Sequence, residues 1–438
     1  MKNYLLVAKL LLSVVCWSQA KASVEIPDRL DLASSIQYAL ENNFQIQKAR
    51  QQIEEQTGLI IEVRAQALPT ASLDAYYTEI DPGLSELSPA HDNDWEIALN
   101  VTQSLYKGGS VRAALDVQQL VEESALLQLE SVVNDALLDV RTGYYDVLLA
   151  RDQIEVQEQN VGLLEAQVRD AKNRFEAGSV SNFEVLRAEV ELANAQTPLI
   201  RARNTFRTAI EELRQTLGFK ASDHQLEKVP DFVGDLGFNK VVYELESALS
   251  VARESRPELK RLEKLLEARE KGIDVARAGF RPTVSLYGSY EAGRSSSSRR
   301  FDDRLDGWTV GVQSSWNIFD GRKVKGQVVQ AKSQYEQARL DFEEAVLDVE
   351  VEVRRALSNL QEAAELAISS GKVTSRAEES LRLAQSRYDA GGATQLDVLQ
   401  ARVSLTLART NQLEAYHSYE VAAAAARRAM GVADPFAK

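Results

Sequence analysis

The fold is decided by RFEAGSVSNFEVLRA at residues 174–188, which returns as RYDAGGATQLDVLQA at residues 387–401. The two stretches lie 213 positions apart, 174 against 387. The same offset relates landmarks far from these stretches: Pro69 to Pro282, Trp95 to Trp308, and Gly218 to Gly431. Because independent domains would drift in length, an ungapped offset over most of the chain indicates two repeats of one structural unit.

The offset divides the chain into segments. We expect a signal peptide at 1–22, a first repeat at 23–218, a linker or equatorial element at 219–240, a second repeat at 241–431 and a C-terminal tail at 432–438. The leader is predicted from basic Lys2, an apolar run over residues 5–17 and the small residues Ala20 and Ala22. That run is too short to cross a bilayer as a helix, so we expect cleavage and export.

Composition excludes several classes of function. The only cysteine, Cys16, lies in the predicted leader, so the mature chain has no disulfide and no thiolate metal site. A formal charge of −14 disfavours nucleic acid as a partner. The three histidines, His91, His224 and His417, show no metal-ligand spacing and are interpreted as surface or packing residues. We therefore expect no metal, no cofactor and no enzymatic activity.

Helical periodicity dominates each repeat. Opening helical stretches are predicted over 30–67 and 242–279, where Pro69 and Pro282 follow and disfavour helix. A seven-residue apolar series then runs through Val133, Val140, Val147, Ile154, Val161, Val168 and Phe175, and its counterpart through Val346, Val353, Leu360, Ala367, Thr374, Leu381 and Tyr388. Sustained heptads predict coiled-coil hairpins, with a first helix on the order of 100 Å long. Turns are expected near residues 178 and 391.

Strand pairs are predicted ahead of the hairpins, at about 70–106 and 283–319. In the second strand of each pair, apolar and polar residues alternate with a period of two. Each strand has about the length that a tilted strand needs to cross a bilayer. If the polar faces line a pore, the lumen residues are Glu96, Asn100, Thr102, Gln313 and Asn317.

Four strands are too few to close a membrane barrel, whose smallest known form has about eight. An open sheet edge in lipid leaves backbone groups unpaired at several kcal/mol each. Several chains must therefore share one barrel. Two chains would give a lumen filled by side chains, whereas three would leave space for solute.

The combination of these features resembles the TolC-like outer-membrane efflux protein family over nearly the whole mature chain. The resemblance is carried by PTASL (69–73), PTVSL (282–286), LYKGGSVRAAL (105–115), IFDGRKVKGQV (318–328) and GGATQLDVLQA (391–401). It implies a mainly α fold with β strands, forming a homotrimer with a twelve-stranded barrel in outer-membrane lipid and a twelve-helix tunnel in the periplasm. The implied function is the exit duct of a tripartite efflux pump or a type I secretion system. The implied partners are a periplasmic adaptor (membrane fusion protein) and an inner-membrane transporter.

The resemblance also implies a constriction at the hairpin tips. Its acidic position falls on Asp397, whose match in the first repeat is Glu184. Gln400 stands where the best-known pattern has a second acid, and Tyr388 matches an aromatic beside the turn. Ordinary solvated helix acids are the alternative interpretation of the two carboxylates. The implied adaptor contacts are the tip residues Gly178, Ser179, Gly391 and Gly392.

Two other classes of protein share some of these features. A periplasmic adaptor also combines a coiled-coil hairpin with β structure, but it usually has one hairpin, whereas this chain predicts two. A structural periplasmic coiled coil would leave the alternating strands unexplained. Both remain alternatives at the level of sequence.

Overall fold

The structure is a computed structural model that describes residues 29–79, 81, 93–219, 230–294 and 304–436. The predicted signal peptide lies outside these residues, as do His91 and His224. Parts of the segments that join the paired strands, and residues 220–229 of the predicted linker, also lie outside them.

Equivalent elements follow one another in the two halves of the chain. The first half contains β1 (Arg29–Leu30), α1 (Leu32–Asn42), α2 (Phe44–Ala65), β2 (Thr70–Glu79), β3 (Asn93–Lys107), α3 (Ser110–Glu176) and α4 (Asn182–Leu217). The second contains β4 (Asp231–Phe232), α5 (Leu245–Ser255), α6 (Pro257–Arg277), a 3₁₀ turn (Ala278–Phe280), β5 (Thr283–Arg294), β6 (Arg304–Ser315), α7 (Lys323–Asp389) and α8 (Gln395–Ala429). The predicted class, mainly α with amphipathic strands, is confirmed.

The long helices α3 and α7 each have 67 residues, so each is about 100 Å long. The predicted heptad seam is buried along the middle of both helices, at Val140 and Val147 in α3 and at Val353 and Leu360 in α7, whereas Phe175 at the tip end of α3 is exposed. Thr374 is also buried on this seam, and its hydroxyl donates to the Ala408 carbonyl at 3.1 Å. Among the described helices, none combines the length and apolar character needed to cross a membrane.

The hairpins pack side by side. α3 contacts α4 and α8, and α8 contacts α7, so α3 and α8 form the seam between the hairpins of one chain. The shorter α2 and α6 begin where the return helices α4 and α8 end. Gly218, which ends α4, lies against Asn42, and Gly431 lies against Arg256. This end-to-end stacking lets both arms of each hairpin match in length.

The prediction of one continuous opening helix was wrong at one residue in each repeat. Asn43 and Arg256 both have extended backbone, with ψ 128° and 118°. The Asn43 side chain accepts from the backbone N–H groups of Gln45 and Ile46 at 2.8 and 3.2 Å, which starts a new helix. Pro257 occupies the first turn of α6, which disfavours helical backbone at the residue before it.

A short β element, which we call the belt, packs against the middle of the first hairpin. β1 pairs in parallel with β4, a part of the predicted linker. Phe232 and Leu236 are buried with Tyr144 and Leu213 of the first hairpin. The Tyr144 hydroxyl donates to the Leu30 carbonyl at 3.0 Å, and burial raises the pKa of Tyr144 to about 12. The belt is therefore built into the apolar core.

The four longer strands form one antiparallel sheet in the order β2-β3-β5-β6. Pairing of β3 with β5 joins the two repeats, and this pair contains an irregularity between Ser104 and Tyr106. The prediction that the last strand continues past residue 315 was wrong. Trp316 instead donates its indole N–H to the Phe280 carbonyl at 3.1 Å, so Asn317 lies in the connection to α7.

Candidate channel lumen and hairpin tips

The sheet register places four of the five predicted lumen residues on one face. Thr102 of β3 pairs with Tyr287 of β5, and Tyr287 pairs with Gly311 of β6. Two residues further along the same strands, Ser285 of β5 pairs with Gln313 of β6. Because side chains alternate along a strand, Glu96, Asn100 and Thr102 share the face that carries Gln313. Asn317 lies beyond the strand. It lines, together with Thr102, a cavity of about 1060 Å³ where the sheet meets the helices.

Hydrogen bonds connect side chains across this polar face. The Asp74 carboxylate accepts from the Asn100 amide at 2.8 Å and from the Ser72 hydroxyl at 3.1 Å. The Tyr76 hydroxyl donates to Glu96 at 3.1 Å. Sequence reasoning missed Asp74 and Tyr76 because β2 alternates only weakly. The register reveals them, since Asp74 pairs with Ala98 on the face of Glu96 and Asn100.

The opposite face of the sheet is apolar and exposed. Leu73 on β2 is 70% exposed and Trp308 on β6 is 75% exposed. Further large apolar side chains share this exposure: Ile97, Leu99, Val101, Val310 and Val312. A contiguous apolar surface of this extent on a single chain indicates a site of contact with a membrane or with another protein.

The two hairpin tips use the same turn. Gly178 and Gly391 have φ of +73° and +76°, the left-handed conformation that glycine adopts without strain. The Ser179 N–H donates to the Arg174 carbonyl at 2.8 Å, and the Gly392 N–H donates to the Arg387 carbonyl at 2.7 Å. These bonds end the long helices in the same way in both repeats.

The predicted acidic positions differ in their surroundings. Asp397 is exposed, and its carboxylate accepts from the backbone N–H and the hydroxyl of Thr394, each at 2.7 Å. These hydrogen bonds hold the pKa of Asp397 below its usual 3.8. Glu184 lies half-buried in the first turn of α4, whose N-cap Ser181 makes no side-chain capping bond. Gln400 is exposed one turn beyond Asp397.

Tyr388 connects the two hairpins near their tips. The guanidinium of Arg174, on α3, lies 5.0 Å from the centre of the Tyr388 ring on α7. Asp170 orients the arginine through a 2.9 Å ion pair. Burial raises the pKa of Tyr388. Arg174 was missed at the level of sequence, because nothing in the chain order indicates that residues 174 and 388 meet.

Metal-ligating side chains do not gather in the described parts of the chain, where no group of three or more could hold an ion. His417 on α8 contacts Asp146 on α3 at 2.7 Å and is half-buried, so it lies in the packing between the hairpins.

The fold defines a membrane duct. Two long hairpins continue into a sheet, and this sheet has one exposed apolar face and one hydrogen-bonded polar face. The outer membrane efflux protein family matches the chain twice, over residues 35–219 and 248–432. The chain therefore belongs to the outer membrane efflux protein family. It is an outer-membrane exit duct for efflux and secretion, and this family consists of channels, neither adaptors nor structural coiled coils.

Individual relatives agree with this assignment. The chain is 24% identical over 400 residues to nodulation protein T of Rhizobium leguminosarum bv. trifolii, covering 89% of this chain and 82% of that protein. It is 22% identical over 404 residues to the outer membrane protein TolC of Vibrio cholerae, covering 92% and 90%. Its fold is similar to the Campylobacter jejuni CmeC outer membrane channel, with a TM-score of 0.74, 17% identity, and 91% and 85% of the two chains covered.

Proposed function

We propose that three copies of this chain close a twelve-stranded barrel in outer-membrane lipid and continue it as a twelve-helix tunnel through the periplasm. The observation that carries the proposal is the combination of an exposed apolar face with two unpaired edges. Within the described strands, β2 and β6 each pair on one side only. In hydrocarbon, such edges must be paired, and another copy of the same sheet supplies the partner.

The number of copies follows from the polar face. Its bonded side chains, among them Asp74, Asn100 and Glu96, require water or further polar groups around them. Eight strands enclose a lumen filled by side chains, whereas twelve leave an aqueous passage. Three chains therefore suit this face better than two. Substrates would pass along it from the tunnel to the exterior.

The periplasmic end is where partners would dock. An adaptor of the membrane fusion type would contact the exposed turns at Gly178, Ser179, Gly391 and Gly392 and connect the duct to an inner-membrane transporter. All four residues are exposed, and a Cβ atom added at Gly178 or Gly391 would meet nothing within 4 Å. Both tips thus offer open surface to a partner.

The tips would also gate the duct. The contact of Arg174 with Tyr388 holds the end of the first hairpin against the second. Asp397, just past the second turn, and Glu184, at the equivalent first turn, would place carboxylates at the constriction. Gln400 would add a neutral side chain one turn further in.

Assembly is tested with two neighbouring residues on opposite faces of β2. Leu73→Arg places a charge on the apolar face, which costs about 2–4 kcal/mol at the middle of a bilayer. We expect it to abolish recovery of the trimer from membranes, as measured by chemical crosslinking and size-exclusion chromatography. Asp74→Asn, on the polar face, should leave assembly intact. A wild-type protein that is monomeric in mild detergent and gives no conductance in planar bilayers would refute the proposal.

The gate is tested separately on assembled protein. Tyr388→Ala should raise single-channel conductance by loosening the contact with Arg174, and Asp397→Asn should weaken block by divalent cations. Ser386→Ala is the control at the same tip. Unaltered traces in both variants, recorded from intact trimers, would rule out the gate while leaving the duct in place.

A further inference from the structure

A cavity of about 320 Å³ lies between α3 and the second hairpin and extends from the tip turn along the first turns of α8. We call it the seam cavity. Its lining includes Gln167 and Arg174 of α3, Gln385 of α7, and Gln395 and Arg402 of α8. All of these residues belong to one chain, so the seam cavity exists in a single protomer.

Arg402 is the unusual member of this lining. The residue is only 8% exposed, and one of its terminal nitrogens donates to the Gln167 amide oxygen at 2.6 Å. Its Nε finds no hydrogen-bond partner among the described residues, and none of the described carboxylates forms an ion pair with it. The amide oxygen of Gln395 is likewise unpartnered within the described chain. Burial without a counter-charge lowers the pKa of Arg402.

A second arginine on the same helix has both a hydrogen-bond partner and a counter-charge at the seam between the hairpins. Arg409, two turns along α8, donates to the Gln159 amide oxygen of α3 at 2.9 Å. It also donates to the Glu378 carboxylate of α7 at 2.9 Å. Arg402 repeats the contact with a glutamine of α3 but lacks the carboxylate.

The first repeat makes the same contrast. The residue equivalent to Arg402 there is Glu189, which pairs with Lys172 at 2.8 Å. The residue equivalent to Lys172 in the second repeat is Gln385, which is neutral and donates to Asp389. The ion pair of the first hairpin has therefore been replaced by a lone cation beside a cavity.

Two acidic side chains, Asp170 and Asp389, line the seam cavity, and both already have partners. Asp170 pairs with Arg174 at 2.9 Å, and Asp389 accepts from Gln385 at 3.2 Å. Burying a guanidinium without a counter-ion is unfavourable, so such a residue persists where something compensates for that burial. The planar fork of N–H donors on a guanidinium matches the two oxygens of a carboxylate.

We propose that the seam cavity binds a carboxylate, with Arg402 as its main ligand-binding residue. The proposal does not rest on trimer formation, because the site lies within one chain. The cavity shares Arg174 and Tyr388 with the proposed gate, but Arg402 takes no part in the contact between them. The carboxylate has two sources, which the experiment below separates. One is a free dicarboxylate solute, and the other is an acidic side chain of a protein docked on the hairpins.

Calorimetry on the purified full-length protein in detergent separates these sources. One arm titrates sodium glutarate at constant ionic strength. The other titrates a short helical peptide that presents a single glutamate, with a glutamine version as its control. We expect saturable binding in at least one arm, and the arm that binds identifies the source. Absence of binding in both arms would overturn the proposal.

Three variants tie the binding to Arg402. Arg402→Met should weaken it by about tenfold or more, because a charge-assisted bond is removed. Arg409→Met, the matched change on the same seam, should leave it unchanged; equal losses in both variants would indicate non-specific attraction and overturn the proposal. Gln385→Glu places a carboxylate inside the cavity and should also abolish binding, which keeps the test decisive if Arg402→Met fails to fold. Undiminished binding in a Gln385→Glu protein whose unfolding temperature is raised, which shows that the new carboxylate reaches Arg402, would likewise count against the site.

Discussion

The two repeats break their opening helices at the same place and hold the break with different chemistry. In the first repeat, the Asn43 side chain donates to the Thr216 carbonyl at 2.7 Å. In the second, the equivalent Arg256 donates to the Ala429 carbonyl at 3.0 Å. Each side chain thus bonds to a carbonyl at the end of its own return helix. The backbone geometry is repeated, although the residue that stabilises it is not.

The difference extends to the surroundings of each break. Asn43 is neutral and also caps α2. Arg256 is buried and forms ion pairs with Glu258 at 3.0 Å and Glu352 at 2.8 Å. Arg428 joins the same carboxylates and adds Asp135 of α3 at 2.7 Å. The second repeat is therefore held to the first by charge, at a position where the first repeat uses a cap.

Removing the charged member should have the largest effect. Arg256→Ala leaves the Ala429 carbonyl and two carboxylates without their buried donor. Breaking a buried pair costs about 3–5 kcal/mol, and we expect about 2–3 kcal/mol here because Arg428 still contacts both acids. Thermal unfolding followed by circular dichroism measures the loss. Arg253→Ala, an exposed pair with Glu350, is the control and should change little. Equal losses of stability in Arg256→Ala and Arg253→Ala would contradict the idea that the buried ion pairs of Arg256 hold the second break.

The neutral member should have a smaller effect. Asn43→Ala removes the cap of α2 and the bond to the Thr216 carbonyl, which together contribute about 1–2 kcal/mol. The same unfolding measurement applies, with Gln45→Ala, exposed in the first turn of α2, as the control. If Asn43→Ala destabilised the protein as much as Arg256→Ala, the two breaks would be energetically equivalent and the distinction drawn above would fail.

Much of this architecture could be predicted from the chain because it is local or periodic. Heptads predicted α3 and α7, glycines predicted both turns, and alternation predicted the polar face that carries Asn100. The break at Asn43 was not predicted, because Asn43 lies in an uninterrupted helical pattern and its partner Thr216 is distant in sequence. Pro257 was a usable signal for the second break. The isolation of Arg402 could not be predicted, since it depends on which side chains meet across the seam between hairpins.

The hairpins differ near their tips as well, and one substitution should reduce that difference. Gln385→Glu gives the second hairpin an ion pair with Arg402, equivalent to the Lys172 and Glu189 pair of the first. We expect stabilisation by about 1 kcal/mol or less, because a buried cation gains a partner but that partner lies at an exposed position. Unfolding temperature measures it. Gln361→Glu, an exposed change on the same helix, is the control. A loss of stability in Gln385→Glu alone would mean that the new carboxylate cannot reach Arg402.

The smallest effect should come from the caps that start the return helices. Thr394 and Asp397 form a reciprocal capping box at the start of α8, whereas Ser181 makes no side-chain capping bond at the start of α4. The pKa of Asp397 is depressed in the folded state by its bonds to Thr394. The stabilisation that this carboxylate contributes is therefore present above its unfolded value near 3.8 and is lost as the pH falls through the lower folded value.

Acidification should consequently loosen the second tip more than the first. Hydrogen exchange of the backbone amides at 394–398 and 181–185, compared at pH 5 and pH 3 after correction for intrinsic rates, measures this difference. We expect the protection of the second tip to fall relative to the first. Asp397→Asn removes the titrating group and should make the two tips respond alike. Of the two tips, only the second has a carboxylate bonded to the N-cap residue of its return helix. Equal loss of protection at both tips in the wild-type protein would therefore show that the capping box does not distinguish them.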